Sequence, residues 1–333
     1  MARCSLRRTS ELIATLRLIR TPKIGPVLFK KLIELYKDPE TALSALCDGE
    51  CREIRNICSL SEAEKELDFC DRIGARVISI FDRQYPQMLS NIPDPPPIIT
   101  VLGNESLLDN AEMIAIVGSR EASTSGYRLA YSFARELSQK KLLTISGLAK
   151  GIDSAVHSVI YDKVPTVAVL GNGINVIYPR ENSKLYRSIA HDGGLLVSEL
   201  PFSSLPKASL FPQRNRIISG MSRGVLVVEA SKRSGALITA NLAAAQGREV
   251  FAVPGSPLDS RCLGNNNLIK QGACLVLSAE DITRALGFAS FPICRTSKEP
   301  HHEEKLVTKN QTKQAVTDYI LKHLSSAPTS IDD

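Results

Sequence analysis

Two arginines one residue apart, Arg214 and Arg216, stand in the stretch FPQRNRIISGMS between Phe211 and the apolar pair Ile217 and Ile218. A guanidinium among apolar residues is costly unless anions or acceptors meet it. Arginine's planar fork of donors suits phosphate oxygens. Phe211 adds a flat face on which a nucleobase can stack, an interaction worth about 1 to 3 kcal/mol in single-strand binders. Arginines, the intervening Asn215 and an aromatic together point to single-stranded nucleic acid rather than a lone phosphate. The competing reading is structural, with Phe211 in the core and Arg214 paired to Glu199 or Glu229.

Several small-residue turns carry related chemistry. Gly118, Ser119 and Arg120 open GSREASTSG; Ser146 and Gly147 open SGLAKGIDSAVH; Ser234 and Gly235 lie in KRSGALITA. Each follows an apolar run and precedes a helical one, where free backbone N–H groups and the helix dipole favour an anion. Alternatively, the glycines serve only tight strand-to-helix turns. A fourth turn, GNGINVIYP, contains a lone GxG. The first turn is not a GxGxxG fingerprint, because Arg120 stands where close approach to a pyrophosphate needs glycine, which argues against a standard dinucleotide site. No GxSxG, Walker lysine motif or HExxH occurs. His157 and His191 stand far apart, and nothing sets the separation of Asp153, Glu199 and Glu229. We therefore expect no enzyme, cofactor or metal site.

The elements that must position these residues follow from periodicity. From Glu11 to about Ile73, apolar residues recur at helical spacing, predicting a helical domain over residues 1–75. Within it, TPKIGPVLFKKLIELY has the shape of a helix-hairpin-helix, whose turn and lysines Lys23, Lys30 and Lys31 could hold a phosphate. Residues 76–287 alternate short β-rich runs (VISI, MIAIVG, LLTISG, TVAVLG, LLVSEL, GVLVVEA, EVFAVPG) with helical ones. That pattern predicts a doubly wound, mostly parallel α/β sheet, Rossmann-like in the broad sense. The stretch NIPDPPPIITVLGN reads as a proline-rich connection where a domain boundary is plausible. Residues 288–313 read as a polar linker and 314–333 as one helix with the start of another, a region expected to be loosely ordered.

Composition bounds the partners. With 333 residues, 43% hydrophobic and 23% charged, the chain can bury a sizeable core. Its formal charge of +6 favours anionic partners. Eight cysteines lack CxxC spacing, and the loose group Cys47, Cys51, Cys58 and Cys70 has no histidine beside it, so they read as reduced helical filler. The arginine-rich start could pass for a transit peptide, but Glu11 breaks the bias and the helical periodicity continues, so a cytoplasmic location is expected with no membrane contact.

Taken in order, IAIVGSREAS, TISGLAKGIDSAVH, TVAVLGNGINVIYPREN, LLVSELPF, FPQRNRIISGMS, VVEASKRSGALITANLAAAQGREVFAVPGSP and GNNNLIKQGA resemble the bacterial DNA-processing protein A family (DprA, also called Smf). The resemblance covers roughly residues 85–277. It implies an extended Rossmann-like domain that binds single-stranded DNA, forms a homodimer and helps load the RecA recombinase during natural transformation, without cofactor or catalytic turnover. It also implies a DNA pocket holding Ser119, Arg120, Gly147, Phe211, Arg214, Asn215 and Arg216, with Ser234 and Gly235 lining the same groove. Family members often finish with a winged helix, of which only the start is present here. Two rivals stay open: a nucleotide-processing enzyme of the phosphoribohydrolase type, and a small-ligand sensor.

Overall fold

The computed structural model describes residues 10–51, 53–110 and 112–288. The expected winged-helix start, and the linker beyond residue 288, lie outside the described residues. Four helices come first: α1 Ser10–Arg20, α2 Pro26–Tyr36, α3 Pro39–Cys47 and α4 Leu60–Arg72. Their ends are chemically marked. Prolines occupy the first positions of α2 and α3, where the missing N–H costs nothing. The Asp38 side chain accepts the Thr41 N–H at the start of α3, and Ser59 and Glu62 form a capping box at α4.

The remainder alternates strands and helices: β1 Arg76–Ser79, α5 Gln87–Ser90, β2 Ile98–Gly103, β3 Met113–Val117, α6 Thr124–Gln139, β4 Leu143–Ser146, α7 Ile152–His157, β5 Thr166–Val169, α8 Ser183–His191, β6 Leu195–Ser198, α9 Leu210–Gly220, β7 Gly224–Val227, α10 Gly235–Ala245, β8 Glu249–Ala252, α11 Leu263–Lys270, β9 Cys274–Leu275 and α12 Ala279–Ala285. They form one nine-stranded sheet in the order β1-β2-β6-β5-β4-β3-β7-β8-β9. From β6 to β9 every pairing is parallel, and β3, β4, β5, β6 and β7 are buried along their whole length. Such strands need helices on both faces, which explains their near-continuous apolar sequence. The sheet is the Rossmann-like arrangement that the alternating pattern predicts.

Two strands depart from the sequence reading. The proline-rich connection contains β2, which pairs antiparallel with both β1 and β6 and is buried from Ile98 to Val101. The prolines of NIPDPPP end just before it, so the punctuation of a loop concealed a strand whose apolar run, IITV, has no alternation to betray it. The other, β9, is two residues long and too short to leave a pattern.

The helical region does not stand apart. Leu16 of α1 and Ala63 and Leu67 of α4 share an apolar cluster with Ile98, Ala168 and Leu196 of the sheet. Arg20 pairs with Glu66 at 2.8 Å and also donates to the carbonyl of Glu199 just past β6. The described residues up to Phe288 accordingly form a single compact unit. The shared core is expected to make the two regions unfold together. Leu16→Ala, at a fully buried position, is expected to destabilise the whole unit by about 2 to 5 kcal/mol. Urea unfolding followed by tyrosine fluorescence and far-ultraviolet circular dichroism should give one coincident transition that shifts; two separated transitions, with only the first shifted, would show that the helices fold on their own.

Candidate functional site

The strand order fixes where a ligand can sit. After β3 the chain moves to β4 on one side, and after β7 it moves to β8 on the other, although β3 and β7 are neighbours. Connections that leave in opposite directions open a crevice at the carboxyl ends of such strands. Here a groove of about 600 Å³ lies between Gly118, Ser119 and Arg120 after β3, Ser231, Ser234 and Gly235 after β7, and Phe211, Arg214 and Asn215 of α9. A smaller cavity of about 60 Å³ adjoins it past the ends of β4 and β5, between Gly147, Ala149, Lys150, Gly171 and Tyr178. Arg120, Tyr178, Phe211 and Arg214 border both spaces.

The arginines of FPQRNR lie on α9, and residues two apart on a helix point roughly 200° apart. Only one of them can face the groove. Arg214 does, although it is 5% exposed: its Nη1 donates to the carbonyls of Gly147, at 2.6 Å, and Val169, and its Nε donates to Asn215 Oδ1 at 3.3 Å. Burial lowers its pKa to about 10, opposed by the nearby charge of Asp153 and reinforced by Arg120. Arg216 points away and does not line the groove. It makes an ion pair with Glu199, meets Asp94 Oδ2 at 3.3 Å, and donates to the Asp94 carbonyl at 2.6 Å. The assignment of Arg216 to the pocket is therefore corrected: helical spacing turns it into the interior, where Glu199 meets it.

The turns divide in the same way. Ser146 is fully buried and its hydroxyl donates to the carbonyl of Ile116 at 2.7 Å, so it holds β4 to β3 rather than lining the groove. In the SGLA turn the N–H groups of Gly147 and Ala149 both donate to Asp153 Oδ2, at 3.2 and 3.3 Å, and the N–H of Leu148 donates to His157 Nε2 at 3.3 Å. The N–H of Ser119 donates to the carbonyl of Glu229 at 2.7 Å. These donors, read from the sequence as ready for an anion, are already used. Ser234 caps α10 by accepting the Ala236 N–H at 3.3 Å, and the first turn of this eleven-residue helix borders the groove through Gly235, Ala236, Ile238 and Thr239. Positive charge in the groove therefore comes from Arg120, Arg214 and the amino end of α10.

Glycine at 147 has a steric cause: a Cβ there would lie 2.5 Å from Arg214 Nη1. Gly171 faces the Phe211 ring in the same way, with 2.7 Å to its Cδ1. Phe211 is flanked further by Tyr178, with ring centroids 5.6 Å apart, and by the Arg120 guanidinium, 5.4 Å from the ring centre. Tyr178 did not stand out in the sequence; its one signal was its place at the end of GNGINVIYP. Asp153 and His157 lie beneath the turn. Burial raises the pKa of Asp153, with Arg214 opposing, and burial, helped by Arg214, lowers that of His157 to about 3. His157 thus stays neutral, with Nδ1 at 2.9 Å from Thr166 Oγ1.

Residues 76–287 match the family described as DNA recombination-mediator protein A, and residues 9–68 match the DprA-like N-terminal HHH domain. The DNA processing protein DprA of Bacillus subtilis is 44% identical over 214 residues, covering 64% of this chain and 72% of that protein. Protein Smf of Escherichia coli is 42% identical over 226 residues, covering 68% of this chain and 60% of that protein. Among solved structures, DprA of Streptococcus pneumoniae superposes with a TM-score of 0.70 at 32% identity, over 83% of this chain and 97% of its own. DprA of Helicobacter pylori, studied for its single-stranded DNA binding mode, gives 0.58 at 26% identity, over 64% of this chain and 96% of its own.

The neutral His157 has a measurable consequence. Its pKa is about 3 in the fold against 6.5 as a free group, so its share of the stability is complete above pH 6.5 and is lost as the pH falls toward 3. Between pH 7 and 5 this amounts to about 2 kcal/mol. Urea unfolding at both pH values should show the wild type losing about 2 kcal/mol more than His157→Gln. An equal loss in the two proteins would mean that His157 titrates normally.

Proposed function

We propose that this chain, which belongs to the DNA recombination-mediator protein A family, binds single-stranded DNA along the groove at the carboxyl ends of β3 and β7. The observation that carries this reading is the joint placement of Arg120, Arg214, two stacked aromatic rings and the amino end of α10 around one open groove. Phosphates of a flexible strand would follow Arg120, Ser119 and the α10 end, and bases would turn toward the aromatic side. Arg214, committed to two backbone carbonyls, would shape the floor and add a long-range positive field rather than clamp one phosphate. Gly118, Asn215, Ser234 and Gly235 would line the walls of the groove, and Gly147, with no Cβ, leaves room for the Arg214 guanidinium beside it.

Within this reading the protein acts by binding rather than turnover, with no cofactor. It serves as a mediator that helps place a RecA-type recombinase on incoming single strands during natural transformation, and it works in the cytoplasm as a homodimer. Support comes from the family membership and from the Helicobacter pylori relative studied for its single-stranded DNA binding. Among the described residues no helix is long and apolar enough to cross a membrane.

Anisotropy of labelled oligo(dT), titrated at several salt concentrations, tests the groove. Arg120→Ala is expected to weaken binding and to flatten the slope of log affinity against log salt by about 0.7, the value for one phosphate contact to a single strand. Arg216→Ala is expected to lower stability through the uncompensated Glu199 and to leave the slope of the folded fraction unaltered. An unchanged slope in Arg120→Ala would move the DNA to the helical region around Lys23, Lys30 and Lys31. Incubation with nucleoside monophosphates should release no free base; release would favour the phosphoribohydrolase reading. Light scattering at micromolar concentration should give a dimer mass, and a monomer would remove self-association from the proposal.

A further inference from the structure

The chain between β6 and α9, residues 199–209, forms part of the groove rim before it enters the helix, with Pro206 and Ala208 bordering the groove. This segment contains no helix or strand. At Ser203 it takes a φ of +63°, a left-handed conformation that residues other than glycine seldom adopt unless their neighbours hold them.

Neighbours hold it from two sides. On the sheet side, Asn175 accepts the Ser203 N–H at 2.7 Å and gives its amide to the Ser203 hydroxyl at 2.9 Å, while the Gly173 N–H donates to the Ser204 carbonyl at 2.8 Å. On the other side stands α4 of the helical region. The Phe69 ring stacks on that of Phe202, with centroids 5.3 Å apart and planes at 15°, and the Arg72 guanidinium lies 5.5 Å from the centre of the Phe69 ring. Glu66 accepts the Phe202 N–H at 3.4 Å, and Arg20, paired with Glu66, donates to the Glu199 carbonyl at 3.3 Å. The helical region therefore grips the first half of the segment, and the second half lines the groove. Phe69 does not border the groove itself, and at 43% exposure its ring contributes only part of its area to packing.

We propose that Phe69 is a positioning residue for the groove: by stacking on Phe202 it orders the segment between β6 and α9 before a single strand arrives. The role rests on the groove being the single-strand surface. It gives the helical region a part in binding that requires no contact of its own with the strand. A rim that is ordered in advance loses little conformational freedom on binding, and the entropy saved appears as affinity.

Anisotropy of labelled oligo(dT) with the full chain, scaled to the folded fraction, tests the role. Phe69→Ala is expected to bind about tenfold more weakly with the salt slope of the wild type, since a looser rim costs ordering entropy but no phosphate contact is lost. Phe69→Tyr, which keeps the ring, should retain the wild-type affinity. Phe202→Ala should weaken binding as Phe69→Ala does, and the double variant no further, because each change removes the same stack. Leu32→Ala, in the apolar cluster of α1, α2 and α3, should lower stability and leave the affinity of the folded protein unaltered. In hydrogen exchange, the Phe202 and Ser203 amides should exchange faster in Phe69→Ala than in wild type and regain protection when oligo(dT) binds. Unchanged affinity or exchange in Phe69→Ala, additive losses in the double variant, or an equal loss of affinity in Leu32→Ala would overturn the positioning role, while the groove reading stands on the slope of Arg120→Ala. A wild type that does not bind oligo(dT) would overturn both.

Discussion

A guanidinium buried against the carboxyl ends of two strands organises this site. Arg214 reaches from α9 to the carbonyls of Gly147 and Val169, just beyond β4 and at the end of β5, and so ties the helix to two neighbouring strands of the sheet. Much nearby follows from that contact. Glycine at 147 leaves room for the guanidinium, since a Cβ there would lie 2.5 Å from Nη1. Asp153 lies close enough to offset the charge, and the same carboxylate gathers the two N–H groups of the turn. His157 remains unprotonated partly because a cation is already there. Removing Arg214 would therefore disturb the turn, the acid and the histidine together.

The parallel sheet was legible because strands buried on both faces have an unmistakable composition and because helices separate them regularly. The groove was legible for a related reason: ligand-facing residues of such a sheet come just after its strands, so Ser119, Arg120, Ser234 and Gly235 could be placed without coordinates. What the pattern could not convey was direction. Arg214 and Arg216 look equivalent in one dimension, and only the turn of α9 shows that one faces the groove and the other meets Glu199. The engagement of the turn donors was hidden for another reason. Asp153 lies only six residues from Gly147, yet nothing in spacing alone says that a carboxylate folds back beneath its own loop. Tyr178 was missed because its value lies in its contact with Phe211, which is distant in sequence.

The strand β2 shows how punctuation misleads. Prolines mark the approach to an element as readily as its absence, and here they deliver the chain into the position that joins β1 to β6. With β2 in place, β1 and the helices before it become part of one core rather than an appended module. The cluster around Leu16, Ile98 and Leu196 is the physical form of that union, and the Arg20 contact with the Glu199 carbonyl brings it next to the residue that neutralises Arg216.

The inward commitment of the turn donors bears on how long a ligand would stay. A cradle of unfilled N–H groups is unstable when vacant and grips whatever anion fills it. Here Asp153, His157 and Glu229 already accept N–H groups of the turns after β3 and β4. On the proposed reading, occupancy would be governed by diffuse charge and ring contact, both of which can be surrendered gradually along a flexible polymer. On the same reading, a surface built this way would favour short residence and easy release, the properties wanted where cargo is passed on rather than stored.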